Sequence, residues 1–260
     1  MKKIDLKDVT FLTQMRLDSV DRLVNLKNSV EFLLEHFDTN IHVLEADQLD
    51  TGLIRAILPS SVSVEFIEDR DPIYYRTLYI NRMVNACGTP YLSIWEPDII
   101  VPPQQIITAV EWLRSNEADF VSPYEKNFLN TTSIIRNMYI RSKNIGLLEV
   151  YQNKMQVMYP PNPVGGAFFA NTEKYKKIGI DNTNIYGWGI EDGERVRRWT
   201  KLGYNYKRVE GNLYHLTHAR GLNSRFYAEV DRFIKCKEIN RITRMTKEDL
   251  EEEVALWKYK

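Results

Sequence analysis

Three short clusters carry side chains that can do chemistry. The first is Glu96-Pro97-Asp98, two carboxylates one residue apart, directly after the apolar run at 91–95. Carboxylate oxygens at that spacing suit a hard divalent cation, Mg2+ or Mn2+, whose remaining shell a diphosphate can complete. The same spacing also suits a solvated acidic turn. The second cluster is Tyr186-Gly187-Trp188-Gly189-Ile190-Glu191-Asp192. Glycines on both sides of Trp188 let the chain turn and present the indole. Glu191 and Asp192 then open a helix, where the helix dipole favours carboxylates. A plain helix start with a core tryptophan would use the same residues, but it leaves the flanking glycines and the successive acids unexplained. The third cluster is His215 and His218, two of the chain's four histidines. Imidazole suits Mn2+ and other transition ions. Residues three apart can share one ion on a helix, whereas on a strand they point to opposite sides, and a lone histidine outside any site is the ordinary alternative. Gly165-Gly166 adds a bulge or a close backbone approach.

These clusters need a frame, and the apolar pattern supplies one. Residues 9–12 read as a buried strand. Asp18 or Ser19 can cap a helix whose apolar positions are Val20, Leu23, Leu26, Val30, Leu33 and Phe37. Strands follow at 41–44, 62–67, 91–95 and 120–123, with helices at 78–84 and 104–113. Residues 127–163, rich in Asn, Tyr, Lys and Arg, read as an irregular or partly helical excursion, a substrate loop. A strand at 165–170, a helix at 191–202 stopped by Gly203 and a short strand at 213–217 complete the order. The fold class expected is α/β, a twisted, mainly parallel sheet with helices on both faces. In such sheets ligands sit at the carboxyl ends of the strands. The residues placed there are Arg16, Glu45 with Asp47, and Glu96 with Asp98. The chain is read as one domain over 1–224, with a charged helical extension over 225–260 packed on its outside.

Composition narrows the function classes. Lys+Arg and Asp+Glu are both 35 in 260 residues, so there is no overall basic excess of the kind nucleic-acid binding uses. Aromatics are 12%, enough to fill a core and to stack on the C–H faces of sugars. Cys87 and Cys236 are far apart and in no metal-type spacing, which fits a reducing compartment. No window reaches 18 apolar residues, and the start MKKIDLKDVTFL has no apolar run of signal-peptide type. A cytoplasmic protein is expected, meeting the inner face of the membrane peripherally if its substrate is lipid-linked.

Taken in order, the clusters resemble the β-1,4-galactosyltransferase family and the family-2-like GT-A enzymes around it, over residues 9–220. Gly187-Trp188-Gly189-Ile190-Glu191-Asp192 resembles the family's Gly-Trp-Gly-Gly-Glu-Asp, Gly165-Gly166 its upstream Gly-Gly, and His218-Ala219-Arg220 its His-Ser-Arg. Tyr75-Arg76 with Asn81 resembles its Phe-Asn-Arg…Asn helix start. The resemblance implies a GT-A fold, a UDP-sugar donor, Mn2+ (or Mg2+) and inversion at the anomeric carbon. It makes Asp98 the last acid of the metal motif, His218 the histidine ligand and Asp192 the catalytic base. It makes Glu191 an acceptor-binding acid, Trp188 the ring between donor and acceptor, and Arg16 and Arg76 basic groups near the nucleotide. Gly166 is assigned to the sugar side, and Glu45 and Glu96 to the nucleotide-sugar side. Three departures stand out. Glu96 replaces the first Asp of the metal motif, His215 stands where the family has a methionine ligand, and Ile190 replaces a glycine. The disulfides and membrane anchor of the animal enzymes are absent, which fits a bacterial relative. The expected function is transfer of a hexose or N-acetylhexosamine to a carbohydrate or lipid-linked saccharide in surface polysaccharide synthesis. The rivals are a scaffold that has lost turnover and a nucleotidyltransferase. The latter would carry a glycine-rich basic loop after the first strand, where Thr13-Gln14-Met15-Arg16 has no glycine.

Overall fold

Phe11 and Leu12 are chain neighbours that bury in different cores, and this alternation organises the molecule. In a strand successive side chains point to opposite faces. Ile41 and Val43 accordingly join the core of Phe11, while Leu44 and Ala46 join that of Leu12; Phe169 and Phe168 divide the same way. A sheet apolar on both faces must be covered on both.

The computed structural model describes residues 2–257. In chain order the elements are β1 (Ile4–Met15), α1 (Val20–His36), β2 (Phe37–Asp47), α2 (Leu53–Ile57), β3 (Ser63–Glu68), α3 (Arg76–Ala86), β4 (Tyr91–Trp95), β5 (Ile99–Ile100), α4 (Pro103–Arg114), β6 (Phe120–Ser122), β7 (Phe128–Asn130), α5 (Ser133–Ser142), α6 (Ile145–Val150), β8 (Gln156–Met158), β9 (Ala167–Asn171), α7 (Thr172–Lys177), α8 (Glu191–Lys201), β10 (Tyr206–Arg208), β11 (Leu213–His215), α9 (Glu229–Arg244) and α10 (Lys247–Trp257). Seven strands form the central sheet in the order β10-β6-β9-β4-β1-β2-β3. Only β9 runs antiparallel to its neighbours, so the sheet is mainly parallel, as expected. Helices α1 and α4 cover one face through Leu26, Val30, Ile106 and Val110, and α3 and α8 cover the other through Ile80, Met83 and Trp199.

The differences from expectation have local causes. Phe37, read as the last apolar position of the first helix, opens β2 instead, and its backbone N–H closes the helix on the Leu33 carbonyl. Residues 127–163 are ordered: β7, α5, α6 and β8 lie within them, and β7 sits between β11 and β8 in a second sheet of order β5-β11-β7-β8. The short elements β5, α2, α7 and β10 have too few residues to show a period. The tail forms α9 and α10, and Ile242, Leu250 and Val254 bury in the second core.

Candidate active site

The second sheet assembles the first half of the site. Trp95 ends β4 with its indole N–H on Ser29 Oγ (2.9 Å), and Glu96 N–H then donates to the Gly166 carbonyl (2.9 Å). Ile99 and Ile100 pair antiparallel with His215 and Tyr214. Leu216 N–H donates to the Asp98 carbonyl (2.7 Å), just where the chain leaves β11. That departure brings His218 round to the same carboxylate as His215, so the opposite-sides geometry of a continuous strand does not apply. Asp98 Oδ2 is 3.0 Å from His218 Nε2, and Oδ1 is 3.5 Å from His215 Nε2. One ligand atom from each of the three lies within 4.8 Å of the others.

The outer contacts aim these rings. His215 Nδ1 lies 2.8 Å from the Asn130 side-chain oxygen and His218 Nδ1 2.8 Å from the Ala219 carbonyl. Both acceptors favour a proton on Nδ1, which in the neutral ring leaves the Nε2 lone pair free to bind an ion beside Asp98. Burial pulls His215 down to about 4 against the attraction of Asp98, so it is neutral near pH 7. Burial also opposes ionisation of Asp98, but the two imidazoles and Arg22 hold its carboxyl well below the usual range. Asp98 Oδ1 is buried with no hydrogen-bond partner among the described residues. A buried carboxylate with one orphaned oxygen, set against two Nε2 atoms, fits a transition-type divalent ion, Mn2+ among them. Glu96 is not in this group. Its carboxylate is 3.0 Å from Arg76 Nη2.

The second half of the site grows from the start of α8. Gly187 and Gly189 hold φ of 79° and 100°, and Ile190, at the position of the family glycine, holds φ 68°. A β-branched residue in the left-handed region costs on the order of 1–3 kcal/mol, so this turn is strained where it delivers Glu191 and Asp192. Glu191 is buried against Arg76 (3.1 Å). Asp192 Oδ1 accepts from Arg195 Nη1 (2.7 Å), and Arg195 is gripped by both oxygens of Asp181, each at 2.7 Å. A Cβ on Gly165 would stand 2.7 Å from Asp192 Oδ2, so the missing side chain makes room for that oxygen.

Burial, reinforced by the Asp192 charge, pushes Glu191 up to about 7. Folding therefore takes up a proton on Glu191 between about pH 4.5 and about 7. The stability this group contributes is full below that window and is lost as pH rises through it. Glu191→Gln is expected to flatten that fall. In thermal melts across the window, the variant should gain on wild type as pH rises; parallel curves would refute the assignment.

A cleft of about 280 Å³ collects most of the residues singled out by sequence, among them Arg76, Glu96, Asp98, Trp188, Glu191 and Asp192, together with both histidines. Trp188 packs edge-on against Phe226 at 5.4 Å. Gly166 contributes backbone: a Cβ there would stand 2.9 Å from Phe128 and 3.0 Å from Leu213, so its smallness serves packing under the site. Arg16 opens onto an adjoining recess with Gln14 and Tyr74. It is already held by Asp69 (2.5 Å) and by the Ala46 and Asp71 carbonyls (3.2 and 2.7 Å). Glu45 is buried at the end of β2 and lines neither space. Sequence reasoning passed over Arg22, whose Nε is 4.0 Å from Asp98 Oδ2, and Asn130 and Arg195. A larger groove of about 980 Å³ around Asn81, Lys177 and Trp257 holds none of these groups.

Residues 148–220 match the family described as the N-terminal domain of galactosyltransferase. No curated protein matches the chain. Among solved structures, a glucosyl-3-phosphoglycerate synthase from Mycobacterium tuberculosis with Mn2+, UDP and phosphoglyceric acid is similar at 17% identity and TM-score 0.54, over 90% of this chain and 78% of that one. A mannosyltransferase from Pyrobaculum calidifontis with GDP-Man and Mn2+ is similar at 13% identity and TM-score 0.55, over 96% and 73%. The catalytic domain of Drosophila beta1,4galactosyltransferase 7 with xylobiose aligns at 16% identity and TM-score 0.49, over 77% of this chain and 64% of that one, so the match spans less than two thirds of the fly chain. The fold is that of the GT-A glycosyltransferases, and the chain is galactosyltransferase-like across the segment carrying Gly165-Gly166, the 187–192 turn and both histidines.

Proposed function

We propose that this protein is a metal-dependent glycosyltransferase that moves a hexose or N-acetylhexosamine from a UDP-sugar to an acceptor hydroxyl with inversion, in the synthesis of a surface polysaccharide. The acceptor is a carbohydrate or a lipid-linked saccharide. The observation that carries the reading is the shared cleft: the Asp98–His215–His218 group and the Asp192 carboxylate line one space. A divalent ion held by Asp98, His215 and His218 would neutralise a diphosphate, so that the nucleotide leaves without a proton. Arg22 and Arg76 place two further cations at the same wall. Asp192, fixed through Oδ1, has Oδ2 to take the proton of the attacking hydroxyl. One positioned carboxylate suits a single displacement, which inverts the anomeric centre. Trp188 offers an apolar face for a sugar and keeps water out.

The scaffold alternative drew its support from Glu96 in the metal motif. Glu96 pairs with Arg76 and stands outside the group of possible ligands, so the substitution leaves that group intact. The test is a thermal-shift series with UDP, UDP-sugars and GDP-mannose, each with Mn2+, Mg2+ or EDTA. A ligand at about 100 times its dissociation constant adds about 2.7 kcal/mol. A shift with a uridine ligand that EDTA removes is the expected result and identifies the donor. A shift confined to GDP-mannose would replace the donor, and no shift with any nucleotide would end the transferase reading.

A further inference from the structure

The first turns of helix α9 are built inside out, although Ile242 near its end is buried. A surface helix of a soluble protein turns its apolar stripe to the core and its charges to water. Here the buried side carries Asp231 and Lys235, an ion pair at 3.0 Å, and Glu238, which holds Asn182 and Asn184. The exposed side carries Val230, Phe233 and Ile234, which are 60%, 62% and 54% exposed, with Tyr227 44% exposed just before the helix. Residues 230, 233, 234 and 237 share one helical face, so the apolar groups form a single stripe that Lys237 continues. Lone exposed apolar residues are ordinary, but a contiguous patch rimmed by polar groups marks a contact surface.

The rim indicates what covers it. Arg225, just before the helix, and Arg232, Lys237 and Arg244 on it are exposed with no ion-pair partner among the described residues, and Glu229 is the one exposed acid on the helix. Five Lys and Arg against three Asp and Glu give the helix a net positive charge, while the whole chain is neutral. Lys237 lies over the Phe233 ring at 5.6 Å, its ammonium beside the apolar stripe, as a side chain at an oil–water boundary would sit.

We infer that α9 docks on the surface of an anionic lipid bilayer, with Tyr227, Val230, Phe233 and Ile234 entering the headgroup–acyl boundary and Arg225, Arg232 and Lys237 meeting lipid phosphates. An apolar face with a cationic border is the chemistry of an interfacial helix. The other face of the helix is tied to the cleft, because Lys235 Nζ donates to the Trp188 carbonyl (2.7 Å). Docking thus sets the Trp188 turn beside the membrane, which gives a lipid-borne acceptor access to the cleft. That consequence rests on the transferase reading; the docking itself does not.

The test is sedimentation of the full chain with phosphatidylcholine vesicles and with mixed phosphatidylcholine–phosphatidylglycerol vesicles, read without any turnover. Binding is expected to the mixed vesicles and to weaken with salt. The double variant Phe233→Ser/Ile234→Ser should bind about tenfold more weakly or worse, given the worth of burying two large apolar side chains. Arg232→Gln/Lys237→Gln should lose several-fold per charge removed. Both pairs are exposed, so unchanged melting temperatures are expected to accompany these losses. Failure to bind mixed vesicles overturns the proposal. So does a dimer in sedimentation equilibrium that Phe233→Ser/Ile234→Ser abolishes, since the stripe then belongs to a second copy of the chain.

Discussion

Arg195→Met is expected to destabilise the fold by about 3–5 kcal/mol, the cost of removing one partner of a buried ion pair. For a domain of this size that is a drop in Tm of roughly 6–20 °C. Arg195 and Asp181 are 1% and 2% exposed, and the guanidinium lies 4.6 Å from the centre of the Phe168 ring. Methionine keeps the bulk and the contact with Phe168 but strands the Asp181 carboxylate among apolar groups, with Tyr175 as its remaining side-chain donor. The pH dependence should change in a defined direction. In wild type, burial opposes ionisation of Asp181, but Arg195 and the Tyr175 hydroxyl hold its carboxyl below the ordinary value. Its stabilisation is therefore present above that value and is lost only as pH falls. In the variant burial dominates, the folded state favours the protonated acid, and stability falls as pH rises. The gap between the two proteins should narrow in acid. The double variant Arg195→Met/Asp181→Leu should recover most of the loss, because exchanging a buried pair for apolar groups is often neutral. A single variant that melts with wild type, or a gap that widens in acid, would show that the pair is not what holds the start of α8.

Why Arg195 escaped the sequence reading shows where such reading stops. Glu191-Asp192-Gly193-Glu194-Arg195 looks like the charged face of a solvated helix, yet Glu191, Glu194, Arg195 and Arg198 are all buried. Glu194 pairs with Arg198 within the helix, but the others are inside because partners come from elsewhere: Arg76 for Glu191, Asp181 for Arg195, and the Ile178 and Ile180 carbonyls for Arg198. No spacing within the helix announces a partner in another segment. The central sheet was legible for the opposite reason. β4 is an apolar run stopped by Pro97, and the structure ends it at Trp95. The two carboxylates of 96–98 were visible as a pair, but their separation into an arginine-bound Glu96 and a histidine-bound Asp98 was not. It depends on β5, two residues long, pairing with β11. The same limit hid Asn130, which comes from the segment read as irregular or partly helical and fixes the orientation of the His215 ring. Glu45 went the other way. The carboxyl end of a strand was a sound place to look, but the cleft lies at β4 and β11, and Glu45 is buried at β2.

Asp192→Asn is expected to leave donor binding intact and to lower the transfer rate by about 10²–10⁴-fold, the usual worth of a positioned general base. The geometry makes the substitution clean. Asparagine has the same shape, its oxygen can keep the 2.7 Å contact with Arg195, and the space left by Gly165 admits the amide in place of Oδ2. What is lost is the ability to accept a proton. Asp192 also lies outside the group of possible metal ligands, so the metal-dependent thermal shift with the donor should be unchanged. Asp98→Asn provides the contrast, since it alters a ligand and should weaken that shift together with turnover. A fall in kcat at unaltered donor affinity is therefore specific to the base, whereas a joint fall reports the metal end of the cleft. If Asp192→Asn retains activity within about tenfold of wild type, the base lies elsewhere. Glu191, pushed up to about 7 by burial and by its charged neighbour, would then be the carboxylate next in line, and its loss in the Gln variant would have to carry the effect.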